Sequence, residues 1–406
     1  MTAYRVPKER LEALYPHLVE LRRAFHREPE LAFEEVETAK KIMAELDRLG
    51  IPYLYQGKGG GVIGYIRGSG HRKIALRADM DALPGEERTG LPFASRFPGK
   101  MHACGHDAHM AMLLGAAALL KEGPPPGEVV LVFQPAEEQG GGARVILESG
   151  VLEGVEAIFG GHVTHHYRVG EMMVGAGVVT AQSDRFSVQI CGRGGHGARP
   201  HEAIDAVVIA GFFITAVQTL VSREVDPLHP SVVTIGRVEA GTAPNVIAAS
   251  ARLEGTIRTT HPQIRCQIHH GLRRMAKAIG ELHRAKIRLQ IEPGYPPVVN
   301  TAREAEIARR AAAKVVGERN VVPLERPSMG SEDFAFYLQK IPGCYVRFGA
   351  RKREEEFIPL HSPYFDIDEE VLKVGAAFFA QVAWEALSKD GQTDSLSAVG
   401  ALDARG

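Results

Sequence analysis

The stretch "MHACGHDAHM", residues 101 to 110, crowds His102, Cys104, His106, Asp107 and His109 together. Three imidazoles, a thiol and a carboxylate could bind a metal, serve a nucleophilic cysteine, feed a disulfide or coincide by chance. Other acids and imidazoles lie far along the chain: Asp79 and Asp81 in "ALRADMD", Glu137 and Glu138 in "LVFQPAEE", and His162 in "IFGGH". Acids beside a thiol raise its pKa and oppose a thiolate nucleophile. A divalent cation reverses that logic by deprotonating the thiol. Mixed thiolate, imidazole and carboxylate ligation suits Zn²⁺ or another borderline first-row ion. Neighbouring Glu137 and Glu138 point to different sides of the chain, so one can hold metal while the other acts as general base for a water.

Such groups need elements to bring them together. Residues 73–81, 128–138 and 156–163 read as strands, each followed by a helical or turn segment, with helices over about 106–121 and 142–149. Alternating strands and helices predict an α/β domain with a mostly parallel sheet between helices. Open parallel sheets collect ligands at the carboxyl ends of their strands. Asp79, Asp81, Glu137, Glu138 and His162 all fall at such ends, and the 101–110 loop follows the first. Accidental placement of surface loop residues is the plain alternative.

From residue 183 the order becomes β-α-β-β-α-β, a ferredoxin-like α+β plan. The expected division is therefore 1–182 and 293–406 for a catalytic domain and 183–292 for an inserted one. The 203–221 segment is apolar but contains Asp205 and Gln218, and is expected to be a buried or interface helix, not a membrane span. A small, polar tail is expected from 388 onward.

With 48 basic and 49 acidic residues and a net charge of -1, the chain has no electrostatic footprint for nucleic acid or an anionic membrane. Its four cysteines are widely spaced, as expected for reduced thiols in a cytoplasmic protein. "GRGGHGARP" lacks the pattern of a phosphate loop.

The motifs resemble the amidohydrolase branch of the dinuclear-metal aminoacylase/carboxypeptidase family, which includes hippurate hydrolases and plant auxin-conjugate hydrolases. The match runs through "HREPELAFEE", "LRADMDALP", "MHACGHDAHM", "FQPAEE", "FGGHV", "GRGGHGARPHEAIDA", "VVTIGRVEAGTAPNVI", "LEGTIRT", "MGSEDFAFY" and "LHSPYFDIDE". The resemblance implies a zinc-exopeptidase-like catalytic domain and an inserted dimerisation or lid domain. It implies Cys104, His106, Glu138, His162 and His361 as ligands of two divalent ions per subunit, Zn²⁺ first, with Mn²⁺, Co²⁺ or Ni²⁺ as alternatives. Cys104 or a water would be shared between them. It makes Glu137 the general base, and His196, reaching a partner subunit's site, an oxyanion donor. Asn245 and Arg258 become candidates for the substrate carboxylate. Asp81 falls on the family's orienting acid, and Asp79 replaces a ligand histidine of the wider family, so it is expected to support ligands without binding metal. His102 and His109 are second choices as ligands.

The implied activity is amide hydrolysis of N-acyl-amino acids by a homodimer or homotetramer, without nucleic-acid or membrane partners. Carboxypeptidase or dipeptidase action on short peptides, and a catalytically silent metal-binding or sensor protein, are the alternatives. Two stretches depart from the common pattern: "VTHHYRVG" after His162, where relatives commonly carry Trp and Pro, and "NVIAAS". His165 and His166 could therefore alter an acyl pocket or only a surface loop.

Overall fold

A computed structural model describes residues 4–352 and 356–388. The tail expected beyond Ser388 lies outside the described residues. In chain order the elements are α1 (Lys8–Arg27), α2 (Val36–Arg48), β1 (Tyr53–Tyr55), β2 (Val62–Arg67), β3 (Lys73–Asp79), α3 (His106–Glu122), β4 (Glu128–Gln134), α4 (Gly142–Glu148), β5 (Ala157–Arg168) and β6 (Met172–Met173). Then come β7 (Gln182–Cys191), β8 (Gly195–His196), α5 (Ala206–Thr219), β9 (Ser231–Ala240), β10 (Val246–Ile247), β11 (Ser250–Thr259), α6 (Pro262–Leu282) and β12 (Lys286–Pro293). The chain closes with α7 (Ala302–Val316), β13 (Val321–Val322), α8 (Ala335–Leu338), β14 (Gly343–Arg351) and α9 (Val371–Leu387).

These elements form two compact units. The first comprises Met1–Gly177, Val299–Glu325 and Asp333–Gly406, and the second Val178–Val298 and Arg326–Glu332. The first unit holds an eight-stranded sheet in the order β1-β2-β4-β3-β5-β14-β6-β13. Its central strands β4, β3, β5 and β14 are mutually parallel. Both faces of these strands are covered, so they read as nearly unbroken apolar runs such as "EVVLVFQ". On one face Phe348 of β14 packs against Phe378 and Phe379 of α9. On the other, Phe334, just before α8, packs against Tyr345. Helix α3 is buried without a break from His106 to Leu120, which explains its run of Ala, Leu and Met and its lack of a polar face.

The strands end at other residues than their sequence patterns suggest, two of them earlier and one later, and for local reasons. Strand β4 stops at Gln134 because Pro135 has no N–H to donate and Ala136 takes a positive φ of 51°. Strand β3 stops at Asp79, freeing Asp81 to bond elsewhere. Strand β5 runs on to Arg168, past the expected end at 163, because β14 continues to pair with it as far as Arg351↔Arg168.

The second unit holds a four-stranded antiparallel sheet in the order β9-β11-β7-β12. Helices α5 and α6 contribute Ile209, Phe213, Val217, Ile268 and Leu272 to its core. Asp205 caps α5 by accepting the N–H groups of Val207 and Val208, so the helix begins at Ala206. By length and composition alone, Ala206–Glu224 could cross a membrane. Its Ala206, Ile209, Ala210, Phe213 and Val217 are instead buried within the unit, while Val207, Val208 and Phe212 are exposed.

Candidate metal centre

Cys104, His106, Glu137, Glu138, His162 and His361 all belong to the first unit, and their donor atoms converge. Three overlapping groups have ligand atoms within 4.8 Å of one another: Cys104 with His106 and His162, Cys104 with Glu138 and His361, and His106 with Glu137 and Glu138. Gly105 makes the turn between Cys104 and His106 possible. It has φ +84°, and a Cβ there would come 2.4 Å from Val163 Cγ2.

Backbone contacts fix which nitrogen each imidazole presents. His106 Nδ1–H donates to the Asp81 carbonyl at 2.9 Å, and its Nε2 is buried without a hydrogen-bond partner, 3.7 Å from Asp79 Oδ2. Burial lowers the His106 pKa, but Asp79 and Asp81 outweigh it and push it up to about 10, so without a cation the ring carries the charge that a metal would replace. His162 Nδ1–H donates to the Val163 carbonyl at 2.6 Å, which directs a bare Nε2 to within 3.2 Å of Cys104 Sγ. His361 Nε2 lies 3.2 Å from Glu138 Oε1, and the His361 N–H donates to the Ala103 carbonyl at 2.8 Å.

Asp81 spends its carboxylate on the backbone of the acid pair. Its Oδ1 accepts the Glu137 N–H at 3.1 Å and its Oδ2 the Glu138 N–H at 3.0 Å. Glu35 accepts the preceding Ala136 N–H at 2.8 Å. Two carboxylates thus hold three successive amides around a corner of positive φ. Burial pushes the Glu35 carboxyl up to about 7, despite those amide contacts.

Asp79 lies beneath the centre. Its Oδ1 accepts His109 Nδ1–H at 2.6 Å, and its Oδ2 accepts the Arg77 guanidinium at 2.5 Å. His109 Nε2 in turn accepts the Val163 N–H at 2.9 Å, so both nitrogens of His109 are engaged. Arg77 also donates to Gln134 at 2.9 Å and to Asp333 at 2.8 Å, and the Asp333 N–H donates to Glu137 Oε1 at 3.2 Å. Burial opposes ionisation of Asp79, but His106, Arg77 and His109 outweigh it and hold the carboxyl well below its usual range. His102 is buried near His26 with neither nitrogen bonded, and burial pushes its pKa down to about 3.

The donor set fits divalent cations. Burial, then Glu138 and Glu137, push the Cys104 thiol well above its usual range, so the centre alone disfavours thiolate. Burial drives His162 well below its usual range and keeps the ring neutral, the form in which an imidazole can bind metal. An unpartnered imidazole nitrogen, a thiol and two acids sharing one buried pocket are costly without a compensating charge, which a cation supplies.

Among the expected residues, His196, Asn245 and Arg258 belong to the second unit. His196 on β8 pairs with Val246 on β10, and the Gly197 N–H donates to the Asn245 carbonyl at 2.8 Å, so the two lie side by side. His196 is exposed, and its Nδ1 accepts the Ala198 N–H at 3.1 Å, leaving Nε2–H as a donor. Arg258 on β11 donates to Ser331 Oγ at 2.8 Å, and its pKa is lowered by burial and then by Arg185.

Sequence reasoning gave no role to Arg77, Gln134, Asp333 or Glu35, and singled out His165 only as an unusual residue of an acyl pocket or a surface loop. A signal existed for Arg77, since a cation inside the buried strand "KIALRAD" demands a partner. Asp333 lay in the quoted "MGSEDFAFY" without a role.

The family model for peptidase family M20/M25/M40 matches residues 75–385. An IAA-amino acid hydrolase (ILR1-like 4) of Arabidopsis thaliana is 43% identical over 374 residues, covering 90% of this chain and 84% of that one. N-acetylcysteine deacetylase of Bacillus subtilis is 42% identical over 380 residues, covering 92% and 97%. The crystal structure of Bacillus subtilis YXEP, described as a dinuclear metal binding peptidase of the M20 family, superposes with a TM-score of 0.80 at 39% identity, covering 93% and 99%.

Proposed function

The chain belongs to peptidase family M20/M25/M40, and from that premise we propose that it hydrolyses the amide bond of N-acyl-amino acids with two divalent metal ions per subunit. The observation that carries the reading is the pair of donor sets sharing Cys104, with Glu137 beside them. Cys104, His106 and His162 would hold one ion, and Cys104, Glu138 and His361 the other. Thiolate and imidazole favour Zn²⁺, with Mn²⁺, Co²⁺ and Ni²⁺ able to substitute. The ions supply the charge that polarises the scissile carbonyl and acidifies water.

The chain's own residues do the rest. Glu137 takes the proton of the attacking water, and its reach is set by the Asp81 and Asp333 contacts. The water oxygen bonds to the carbonyl carbon, the carbon–nitrogen bond breaks, and Glu137 passes its proton to the departing amine. His196, supplied by the partner subunit of a homodimer or homotetramer, donates Nε2–H to the developing oxyanion. Arg258 and Asn245 hold the substrate's carboxylate, and the second unit serves as dimerisation and lid domain.

Protein stripped with chelator, then reloaded with Zn²⁺ or Mn²⁺, is assayed on N-acetyl- and N-benzoyl-amino acids and on dipeptides. Activity lost with the metal, restored by it and highest on N-acyl-amino acids is the expected result. Preference for dipeptides moves the assignment to a peptidase, and metal-loaded protein inert on every substrate removes it from the enzymes.

A further inference from the structure

The two unusual histidines after His162 separate cleanly. Successive strand residues face opposite sides, so one ring of "HH" goes inward and one outward. His166 is exposed, its ring 4.9 Å from that of Phe357. His165 is 2% exposed, and the backbone claims both of its nitrogens. Its Nε2–H donates to the Asp366 carbonyl at 2.7 Å, and its Nδ1 accepts the Ile358 N–H at 3.2 Å. A ring bound at both nitrogens in this way is poorly placed to line an acyl pocket.

The two backbone groups it grips flank one irregular segment, Ile358 to Asp366, and His361 lies between them. His361 has φ +67°, a conformation that a residue with a Cβ keeps only when its surroundings over-determine it. Further contacts hold the same segment. The His361 N–H donates to the Ala103 carbonyl, and the Arg88 N–H donates to the Pro363 carbonyl at 2.8 Å. The Asp366 carboxylate accepts Arg22 Nη2 at 2.7 Å, and Arg22 Nε reaches Asp107, next to His106, at 2.9 Å.

We infer that His165 is a positioning residue for His361: by clasping both ends of the 358–366 segment to β5, three residues beyond His162, it sets where the His361 imidazole meets Glu138. The inference rests on His361 being a ligand of one of two ions, as proposed above. It differs from a space-filling role, which needs only the ring's contact with Phe365.

The test uses the full chain with His165→Phe, which keeps ring bulk but neither hydrogen bond, His165→Gln, which can keep the donation to Asp366, and His361→Ala. Zn²⁺ binding is measured by competition with a chromophoric chelator. Amide exchange of the peptide covering 358–366 is measured in metal-free protein. Wild type should bind two Zn²⁺ and His361→Ala one. His165→Phe should weaken one ion about ten- to a hundredfold, the worth of the two net hydrogen bonds it loses, while sparing the other. Exchange in the peptide should quicken, and His165→Gln should fall between. His165→Phe protein with wild-type affinity for both ions and unchanged exchange overturns the inference, and so does equal weakening of both ions. If His361→Ala still binds two ions, the ligand assignment fails, and the exchange data alone then decide whether His165 holds the segment.

Discussion

The two units treat their functional side chains in opposite ways. In the first, most acids and imidazoles of the centre are buried and anchored by a neighbour: Asp81 and Glu35 grip the amides of 136–138, Asp79 fixes His109, and Arg77 braces Asp79, with His361, exposed but set against Glu138, as the exception. In the second, His196 is exposed with one local contact, and Arg258 has a single side-chain partner in Ser331. Groups that must keep charge and geometry without water are pre-organised at fold-level cost. The groups proposed to meet the substrate stand on strands and loops that can be altered cheaply. Mutations should therefore damage folding and chemistry together in the first unit, and chemistry alone in the second.

The largest effect is expected from Glu137→Gln, the isosteric exception to the first unit's coupling of folding with chemistry. It keeps shape and neutralises only the proton acceptor, so turnover should fall about 10²- to 10⁴-fold with Zn²⁺ content unchanged. Steady-state kinetics alongside metal analysis check it, and retained turnover in metal-replete protein breaks the role. Arg77→Met should cost about 3–5 kcal/mol of folding stability, because it removes the buried cation that both Asp79 and Asp333 bond and leaves their charge to the neighbouring His109, Gln134 and Ala143 N–H. Denaturant unfolding of metal-free protein measures this; a loss near zero means the network is not needed. His196→Ala should lower kcat about 10²-fold, the scale of one oxyanion donor, without moving the unfolding midpoint. A shifted midpoint with normal kcat reverses the expected contrast.

The placing of acids at strand ends was legible in the sequence because a parallel sheet has few ways to arrange them. Helix α3 was legible too, from the unbroken apolar run that follows His106. What stayed hidden depends on partners without a sequence signature. Glu35 meets the amide of Ala136, about a hundred residues away, and any residue but proline at 136 would present the same N–H. His165 likewise bonds main-chain atoms of Asp366 and Ile358, so nothing in their side chains announces it. The tautomers of His109 and His162, and the Nδ1–H contact that orients His106, follow from backbone contacts that only the folded chain creates.

His361 follows the inserted segment in the chain, 199 residues after His162 (361 minus 162). A ribosome adding about 5–20 residues per second needs roughly 10–40 s to cover that distance. Throughout that interval the nascent chain already carries Cys104, His106, Glu138 and His162 but not the last donor. On the proposed assignment, Cys104, His106, Glu138 and His162 thus wait through the synthesis of the whole inserted segment before their last partner, His361, is made.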